Sequence, residues 1–294
     1  MNALFCFGLG YTAAAYLRLF GTRFSSIAGT VRTATPPECR PRDPGGDRVE
    51  AFVFGDRATE NALAGALSRA TCVLVSIPPQ EGRDPVLADY GAALRQATSL
   101  QTIVYLSTVG VYGDHGGDWV DEDTPVNPRS ARSRARVAAE RDWQHFAQQS
   151  GTPVAILRLA GIYGPGRNAL ADLRAGAARR VVKPGQVFNR IHVDDIAQVI
   201  DAAFRTRAGG LFNVADDEPA SSSEVVAYAA DLLGITPPPE IPFDTAQATM
   251  SDMARSFYGE SKRVRNARIK RALGVRLAYP TYREGMRQVR QAGI

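Results

Sequence analysis

Short apolar runs alternate with longer amphipathic stretches through the first two thirds of the chain. The runs are continuously apolar or nearly so, which is typical of strands that are buried on both faces of a sheet. Alternation of such strands with helices predicts a parallel sheet joined by right-handed crossovers, a doubly wound α/β fold. The predicted strands are residues 3–7, 26–30, 49–54, 72–77, 102–106 and 154–159.

Alanine-rich stretches between the runs predict the crossover helices at residues 13–20, 59–70, 85–99 and 130–149. The rhythm changes after Gly164, Pro165 and Gly166, where turn residues interrupt the pattern. The elements predicted beyond that point are helices at residues 169–180, 196–204 and 223–233, a strand at 211–214 and a basic helical tail.

The composition is that of an ordinary globular protein, with 45% hydrophobic and 22% charged residues among 294. No apolar run approaches the roughly 18 residues that a membrane helix needs, and the apolar N-terminus lacks the basic region of a signal peptide. Cys6, Cys39 and Cys72 are scattered without metal-ligand spacing, which predicts free thiols in a reducing cytoplasm. We therefore expect a cytoplasmic protein without a metal site.

The net charge of +5 comes almost wholly from arginine and favours anionic partners. The one dense basic cluster, residues 129–141, has no aromatic residue before Trp143. Nucleic-acid binding would combine basic and aromatic residues, so a solvated helix face is the better interpretation. We expect neither a nucleic acid nor a membrane as a partner, since a nucleotide phosphate suffices as the anion.

A glycine turn follows the first predicted strand and opens the first helix. Gly8 permits a tight turn, Gly10 lets a pyrophosphate approach the backbone, and Ala13 allows close packing of helix on strand. The phosphates would lie on the helix N-terminus, where free N–H groups and the dipole favour anions. The alternative is an ordinary glycine turn. The predicted dinucleotide contacts in this turn are Gly8, Gly10, Tyr11, Thr12 and Ala13.

Further cofactor contacts are predicted at the ends of the next three strands. After the second strand, an NAD-specific site would place an acid, but this chain has Arg32, whose planar guanidinium can clamp a 2′-phosphate. We therefore expect NADP before NAD, with a solvated loop arginine as the alternative. Asp56 suits a contact to the adenine amino group or a helix N-cap. Ser76 and Pro78 are expected to contact the cofactor or to form a rigid loop.

Three later segments carry a family resemblance: residues 107–113 (STVGVYG), 158–167 (RLAGIYGPGR) and 191–197 (IHVDDIA). With the glycine turn, they make the chain resemble the extended short-chain dehydrogenase/reductase family, the NAD-dependent epimerase/dehydratases, over nearly its whole length. The resemblance implies a Rossmann domain over residues 1–165, with a returning segment at about 187–216. It implies a smaller C-terminal substrate domain over residues 166–186 and 217–294.

In that family, a hydroxyl holds the reacting oxygen, a tyrosine transfers the proton, and a lysine four residues later lowers the pKa of the tyrosine. The resemblance places Thr108 at the hydroxyl position. Counting back from Glu140 places Arg132 and Arg136 at the tyrosine and lysine positions. Arginine stays protonated at physiological pH and offers hydrogen-bond donors without an acid–base function, although Arg136 can bind a ribose hydroxyl. The chain thus resembles the atypical branch of the family, and Thr108 and Tyr112 are the candidate catalytic residues.

Tyr258 and Lys262 have the Tyr-x-x-x-Lys spacing but lie too late in the chain for the catalytic pair. We expect them to share a helix face and not to form a dyad on the nicotinamide. Lys183 and Arg190 flank the expected approach to the pocket, where they favour an anionic substrate or are simply solvated.

These features predict an NADP-binding protein of the epimerase/dehydratase type. As an enzyme, it would move hydride between nicotinamide and a hydroxyl or carbonyl carbon of a nucleotide-sugar-like substrate. The alternative is a non-catalytic NADP-binding redox sensor or partner-binding module. Arg132 favours the sensor, and the retained Thr108 and Tyr112 favour the enzyme. The sequence does not identify the substrate, and it leaves a homodimer open.

Overall fold

The structure is a computed structural model that describes residues 2–33, 49–80 and 82–293. At its centre lies a sheet of seven parallel strands, which confirms the predicted doubly wound fold. In spatial order, the strands are β11 (Gly210–Val214), β7 (Val154–Leu159), β5 (Thr102–Thr108), β4 (Cys72–Val75), β1 (Ala3–Phe7), β2 (Ser26–Val31) and β3 (Glu50–Val53).

The strand order reverses at β1, which pairs with β2 on one side and with β4 on the other. Ligands of doubly wound sheets bind in the crevice that this reversal opens at the carboxyl ends of the strands. Ser76, just after β4, connects the end of β4 to the glycine turn after β1. Its hydroxyl lies 3.1 Å from the carbonyl of Phe7 and 2.8 Å from that of Gly8. The glycine turn therefore lies at the crevice.

Helices cover both faces of the sheet and bury two apolar clusters against it. On one face α1 packs against α6, and on the other α3 contacts both α2 and α4. Asp84 links the second group, because its carboxylate caps α3 and also accepts the indole N–H of Trp143 in α4. The helices are α1 (Tyr11–Phe20), α2 (Glu60–Arg69), α3 (Pro85–Gln96), α4 (Ala131–Ser150) and α6 (Val193–Thr206).

Short elements beside the carboxyl edge of the sheet surround a third apolar cluster, to which Tyr163, Val225 and Met286 belong. Three two-stranded sheets lie here: β8 (Gly161–Tyr163) with β10 (Arg190–His192), β9 (Arg180–Val182) with β12 (Glu240–Pro242), and β6 (Trp119–Val120) with β13 (Arg263–Val264). The helices are α5 (Ala169–Arg174), α7 (Ser222–Leu233), α8 (Phe243–Ala246), α9 (Asp252–Tyr258), α10 (Ala267–Ala272) and α11 (Tyr282–Gln291). The division into two domains stays a prediction.

Two predictions about helices are wrong. The helix predicted over residues 169–180 stops at Arg174, because Gly176 adopts a left-handed conformation with φ of +64°, and the chain then enters β9. The shared helix face of Tyr258 and Lys262 does not exist, since α9 ends at Tyr258.

No helix in the described ranges is long and apolar enough to cross a bilayer. Within the same ranges, no group of three or more His, Cys, Asp or Glu residues could hold a metal ion. Cys6 and Cys72 are buried free thiols, and Cys39 lies outside the described residues.

Candidate functional site

A cavity of about 920 Å³ extends from the carboxyl edge of the central sheet into the smaller elements. Gly10, Ser76 and Thr108 line its sheet end, and Phe188 and Tyr258 line the opposite end. The cavity therefore joins the predicted cofactor site to the predicted substrate region.

The glycine turn has the shape that a dinucleotide needs. Gly8 has φ of +95°, and a Cβ there would lie 2.5 Å from Ser76 Oγ, so only glycine fits. Above Gly10 the space is open, because a Cβ there would meet no heavy atom within 4 Å. No side chain caps the N-terminus of α1, which leaves its first amides free. The turn thus fits a pyrophosphate on the helix N-terminus.

The first residues of α1 place one side chain across the crevice. The hydroxyl of Tyr11 donates to the carbonyl of Pro165 at 3.0 Å, which links the glycine turn to the segment after β8. Tyr11 and Thr12 line the cavity, whereas Ala13 is fully buried and lets α1 approach the sheet closely.

The other predicted cofactor residues differ in placement. Arg32 is exposed after β2 and forms no hydrogen bond or salt bridge with a described residue. Asp56 accepts the N–H of Ala58 at 3.0 Å, and the Thr59 hydroxyl lies 3.3 Å from its other carboxylate oxygen, so it stabilises the turn before α2. Pro78 is exposed in the loop after β4 and does not line the cavity.

The two candidate catalytic residues lie in different environments. Thr108 ends β5 at the cavity, where its Oγ1 accepts the N–H of Gly110 at 3.1 Å. Tyr112 is fully buried, its hydroxyl donates to Asn213 Oδ1 at 2.7 Å, and burial raises its pKa. Tyr112 does not line the cavity, so its predicted catalytic role stays a prediction that this geometry does not support.

Arg132 and Arg136 both line the cavity but are held differently. Nη1 of Arg136 donates to the carbonyl of Leu106 at 2.9 Å and to the hydroxyl of Tyr105 at 3.0 Å. The guanidinium of Arg132 lies 5.2 Å from the ring centroid of Phe257, a residue of α9. Arg136 is therefore fixed at the end of β5, and Arg132 connects α4 to α9.

Two serines at the start of α4 were missed in the sequence. Ser130 caps the helix by accepting the N–H of Ser133 at 3.0 Å, and the two hydroxyl oxygens are 2.8 Å apart. A Cβ on Gly110 would lie 3.4 Å from Thr108 Oγ1 and 3.6 Å from Ser133 Oγ, so these oxygens are at most about 7 Å apart. Both serines line the cavity. The preference for serine as an N-cap before α4 could have identified Ser130.

A buried ion pair fixes α4 to the sheet. Glu140 is 3% exposed and accepts from Arg158 Nη2 at 2.7 Å, and the hydroxyl of Ser107 donates to the same carboxylate. Glu140 served only as a landmark of the resemblance, and its pairing with Arg158 of β7 was not predicted.

Tyr258 and Lys262 do not form a pair. The ammonium of Lys262 is buried and donates to the carbonyl of Gly113 and, at 2.9 Å, to the carboxylate of Glu260. The ring of Tyr258 stacks on Phe243 with centroids 5.1 Å apart. The ammonium of Lys183 donates to the backbone carbonyl of Tyr258 and does not line the cavity.

Positive charge predominates on the cavity wall, where Asp172 and Glu260 are the acidic residues. None of the five arginines there forms a salt bridge with a residue in the described ranges. A wall with unpaired cations attracts anionic ligands. The basic residues are Arg132, Arg136, Arg167, Arg179, Arg190 and Lys262.

Comparisons with known proteins agree with this architecture. The sequence model of the NAD-dependent epimerase/dehydratase family matches residues 90–215. A solved structure described as a functionally unknown conserved protein from Silicibacter pomeroyi is 43% identical, with a TM-score of 0.87 and 99% of each chain covered. The chain belongs to the NAD-dependent epimerase/dehydratase family.

Two other relatives have more informative names. The 3-diazoavenalumate denitrifying reductase of a Streptomyces species is 27% identical over 302 residues, which cover 95% of each chain. The human epimerase family protein SDR39U1, solved with NADPH, has a TM-score of 0.74 over 99% of both chains, and its 19% identity shows the fold alone. The NAD(P)-binding epimerase/dehydratase family thus includes this chain, and its dinucleotide turn fits that class of cofactor.

Proposed function

We propose that the protein is an NADP(H)-dependent reductase of an anionic carbonyl compound, such as a small carbonyl acid or the keto form of a nucleotide sugar. The observation that carries the proposal is the cavity itself. It runs from the glycine turn past the hydroxyl of Thr108 to a region with arginines that form no salt bridge with a described residue. One ligand at the turn and a second, anionic ligand beyond Thr108 would fill it.

The glycine turn and Arg32 support the choice of cofactor. The bound nicotinamide cofactor supplies hydride. Gly10 gives a phosphate access to the first amides of α1, and Arg32 follows β2 where an NAD-selecting acid would lie. The NADPH in the solved human relative favours the same choice.

Three hydroxyl groups of the protein position the substrate and transfer a proton, those of Thr108, Ser133 and Ser130. Because Thr108 Oγ1 accepts from Gly110, its hydroxyl proton remains available for the reacting oxygen. Ser133 donates its hydroxyl proton to that oxygen, and Ser130, within hydrogen-bond distance, returns a proton to Ser133 from solvent. Arg136 presents its remaining N–H groups to the ribose, and Arg132 shapes the cavity without exchanging a proton.

Alanine variants test these roles by NADPH absorbance during turnover of nucleotide sugars and small carbonyl acids. We expect Thr108→Ala to lower turnover about a hundredfold, since general acid–base catalysis contributes roughly 10²–10⁴-fold. Arg132→Ala should stay within about tenfold of the wild type, because arginine does not act as a general acid or base. NADPH affinity, measured by fluorescence, is the control in each variant. A thousandfold loss in Arg132→Ala at unchanged NADPH affinity would contradict the assignment.

A second candidate is an NADP-binding sensor without turnover. The contact between Arg132 and Phe257 favours the sensor. At the helix position where the family has a proton-donating tyrosine, this chain has an arginine that connects α4 to α9. NADPH binding without turnover of any compound in the panel would favour the sensor. A cytoplasmic location and a homodimer are further proposals, and light scattering of the purified protein tests the dimer.

A further inference from the structure

Arg190 of β10 is held rigidly at the substrate end of the cavity. Its Nη1 donates to the carbonyls of Phe188 at 3.0 Å and Ala220 at 2.9 Å. The side chain is half-buried and lines the cavity. Its Nε and Nη2 donate to no residue in the described ranges. The guanidinium therefore has a fixed position and unused donors.

No acid among the described residues forms a salt bridge with this arginine. The nearest candidate is Asp216, whose backbone N–H donates to the carbonyl of Arg190, but no carboxylate oxygen of a described residue lies within salt-bridge distance of the guanidinium. Asp216 is 1% exposed, and burial raises its pKa to about 8, which weakens it as a counter-charge for Arg190. The guanidinium of Arg190 thus lines the cavity without a salt-bridge partner among the described residues.

The surroundings of Arg190 are aromatic. Phe188, Phe257 and Tyr258 all line the cavity, and Tyr258 packs with its ring edge against Phe188 at 5.1 Å between centroids. The guanidinium of Arg190 lies 6.0 Å from the ring centroid of Phe188. Flat aromatic walls suit a planar apolar ligand, and the planar fork of arginine matches the two oxygens of a carboxylate.

We propose that Arg190 and this aromatic wall form a binding site for the carboxylate of a planar aromatic or aryl-acrylic acid that carries its reducible carbonyl group at the end away from the carboxylate. The inference rests on the proposed reductase function, because it names the class of its substrate. In this arrangement the carboxylate binds Arg190, the planar body lies along Phe188 and Tyr258, and the carbonyl group at the opposite end points toward Thr108, where it takes the hydride on carbon and the proton on oxygen.

Binding of trans-cinnamate to the NADPH-loaded protein tests the proposal, with cinnamyl alcohol as its neutral counterpart. Calorimetry should show that cinnamate binds at least about tenfold more tightly than the alcohol, since a charge-assisted hydrogen bond is lost with the carboxylate. Arg190→Gln should weaken cinnamate binding about tenfold or more. Arg190→Lys keeps the charge but loses the planar fork, so it should bind with intermediate affinity.

Arg179→Gln is the matched control, because Arg179 also lines the cavity and forms no salt bridge with a residue that the structure describes. It should weaken cinnamate binding less than about threefold. NADPH affinity reports folding in each variant. Equal losses in Arg179→Gln and Arg190→Gln would overturn the proposal, as would equal affinity for acid and alcohol.

A third ligand, uridine diphosphate, distinguishes a carboxylate-binding site from a diphosphate-binding site. If uridine diphosphate bound more tightly than cinnamate and lost affinity in Arg190→Gln, Arg190 would be a diphosphate ligand and the proposal would be wrong. Failure of the wild type to bind NADPH would contradict the proposed function itself. NADPH binding without cinnamate binding would overturn only the carboxylate site.

Discussion

At the scale of single residues, the same helix positions support different chemistry depending on whether a side chain can lose a proton. A guanidinium offers hydrogen-bond donors but no acid–base function, so neither Arg132 nor Arg136 replaces a tyrosine that cycles between two protonation states. The neighbouring Ser130 and Ser133 have exchangeable hydroxyl protons and line the same cavity. The sequence revealed the missing tyrosine, but only the turn at Gly110 shows that Ser133 lies near Thr108.

Arg32 carries the expected preference between cofactors. We expect NADPH to bind about tenfold or more tightly than NADH, because a charge-assisted hydrogen bond to the 2′-phosphate contributes roughly 1.5–3 kcal/mol. Arg32→Ala should remove the preference and leave NADH affinity unchanged, as titration calorimetry would show. Arg69→Ala, at an exposed arginine ending α2, is the control and should keep the preference. Equal affinity of the wild type for both cofactors would refute this role.

At the scale of elements, the bounds of strands buried on both faces were predicted better than the ends of helices. The strands β1 and β7 have the predicted bounds, because their continuous apolar runs are buried on both faces. Helix ends depend on single residues, so Gly176 ended α5 earlier than the apolar pattern indicated. The spacing of Tyr258 and Lys262 was equally misleading, because spacing places two residues on one face only while the helix continues.

The position of α4 depends on its buried ion pair. Glu140→Gln should destabilise the protein by about 3 kcal/mol, because it leaves the guanidinium of Arg158 buried without a counter-charge. Urea unfolding followed by circular dichroism measures the change. Glu240→Gln is the matched control, since Glu240 forms a salt bridge with Arg180 while its side chain is 55% exposed. That change should cost less than about 1 kcal/mol. Equal costs for the two variants would show that burial of the pair is unimportant.

At the scale of the whole molecule, the site forms where distant segments meet. The sequence predicted the sheet, the glycine turn and the family, because each depends on local patterns of apolar residues and glycine. It did not predict that Tyr11 reaches Pro165, that Arg132 contacts Phe257, or that Arg190 lies among aromatic residues. These contacts join segments far apart in the chain, and local periodicity carries no information about them.

A crystal structure of the protein with NADPH bound would test most directly whether Thr108 and Ser133 face the reacting carbon in place of a tyrosine. We predict the pyrophosphate on the N-terminus of α1 and the nicotinamide ring beside Thr108 and Ser133. The hydroxyl of Tyr258 should lie beyond hydrogen-bond reach of an oxygen on the reacting carbon, which is about 3.2 Å. A nicotinamide ring that faces the hydroxyl of Tyr258, with Lys262 on the ribose, would contradict the proposed site.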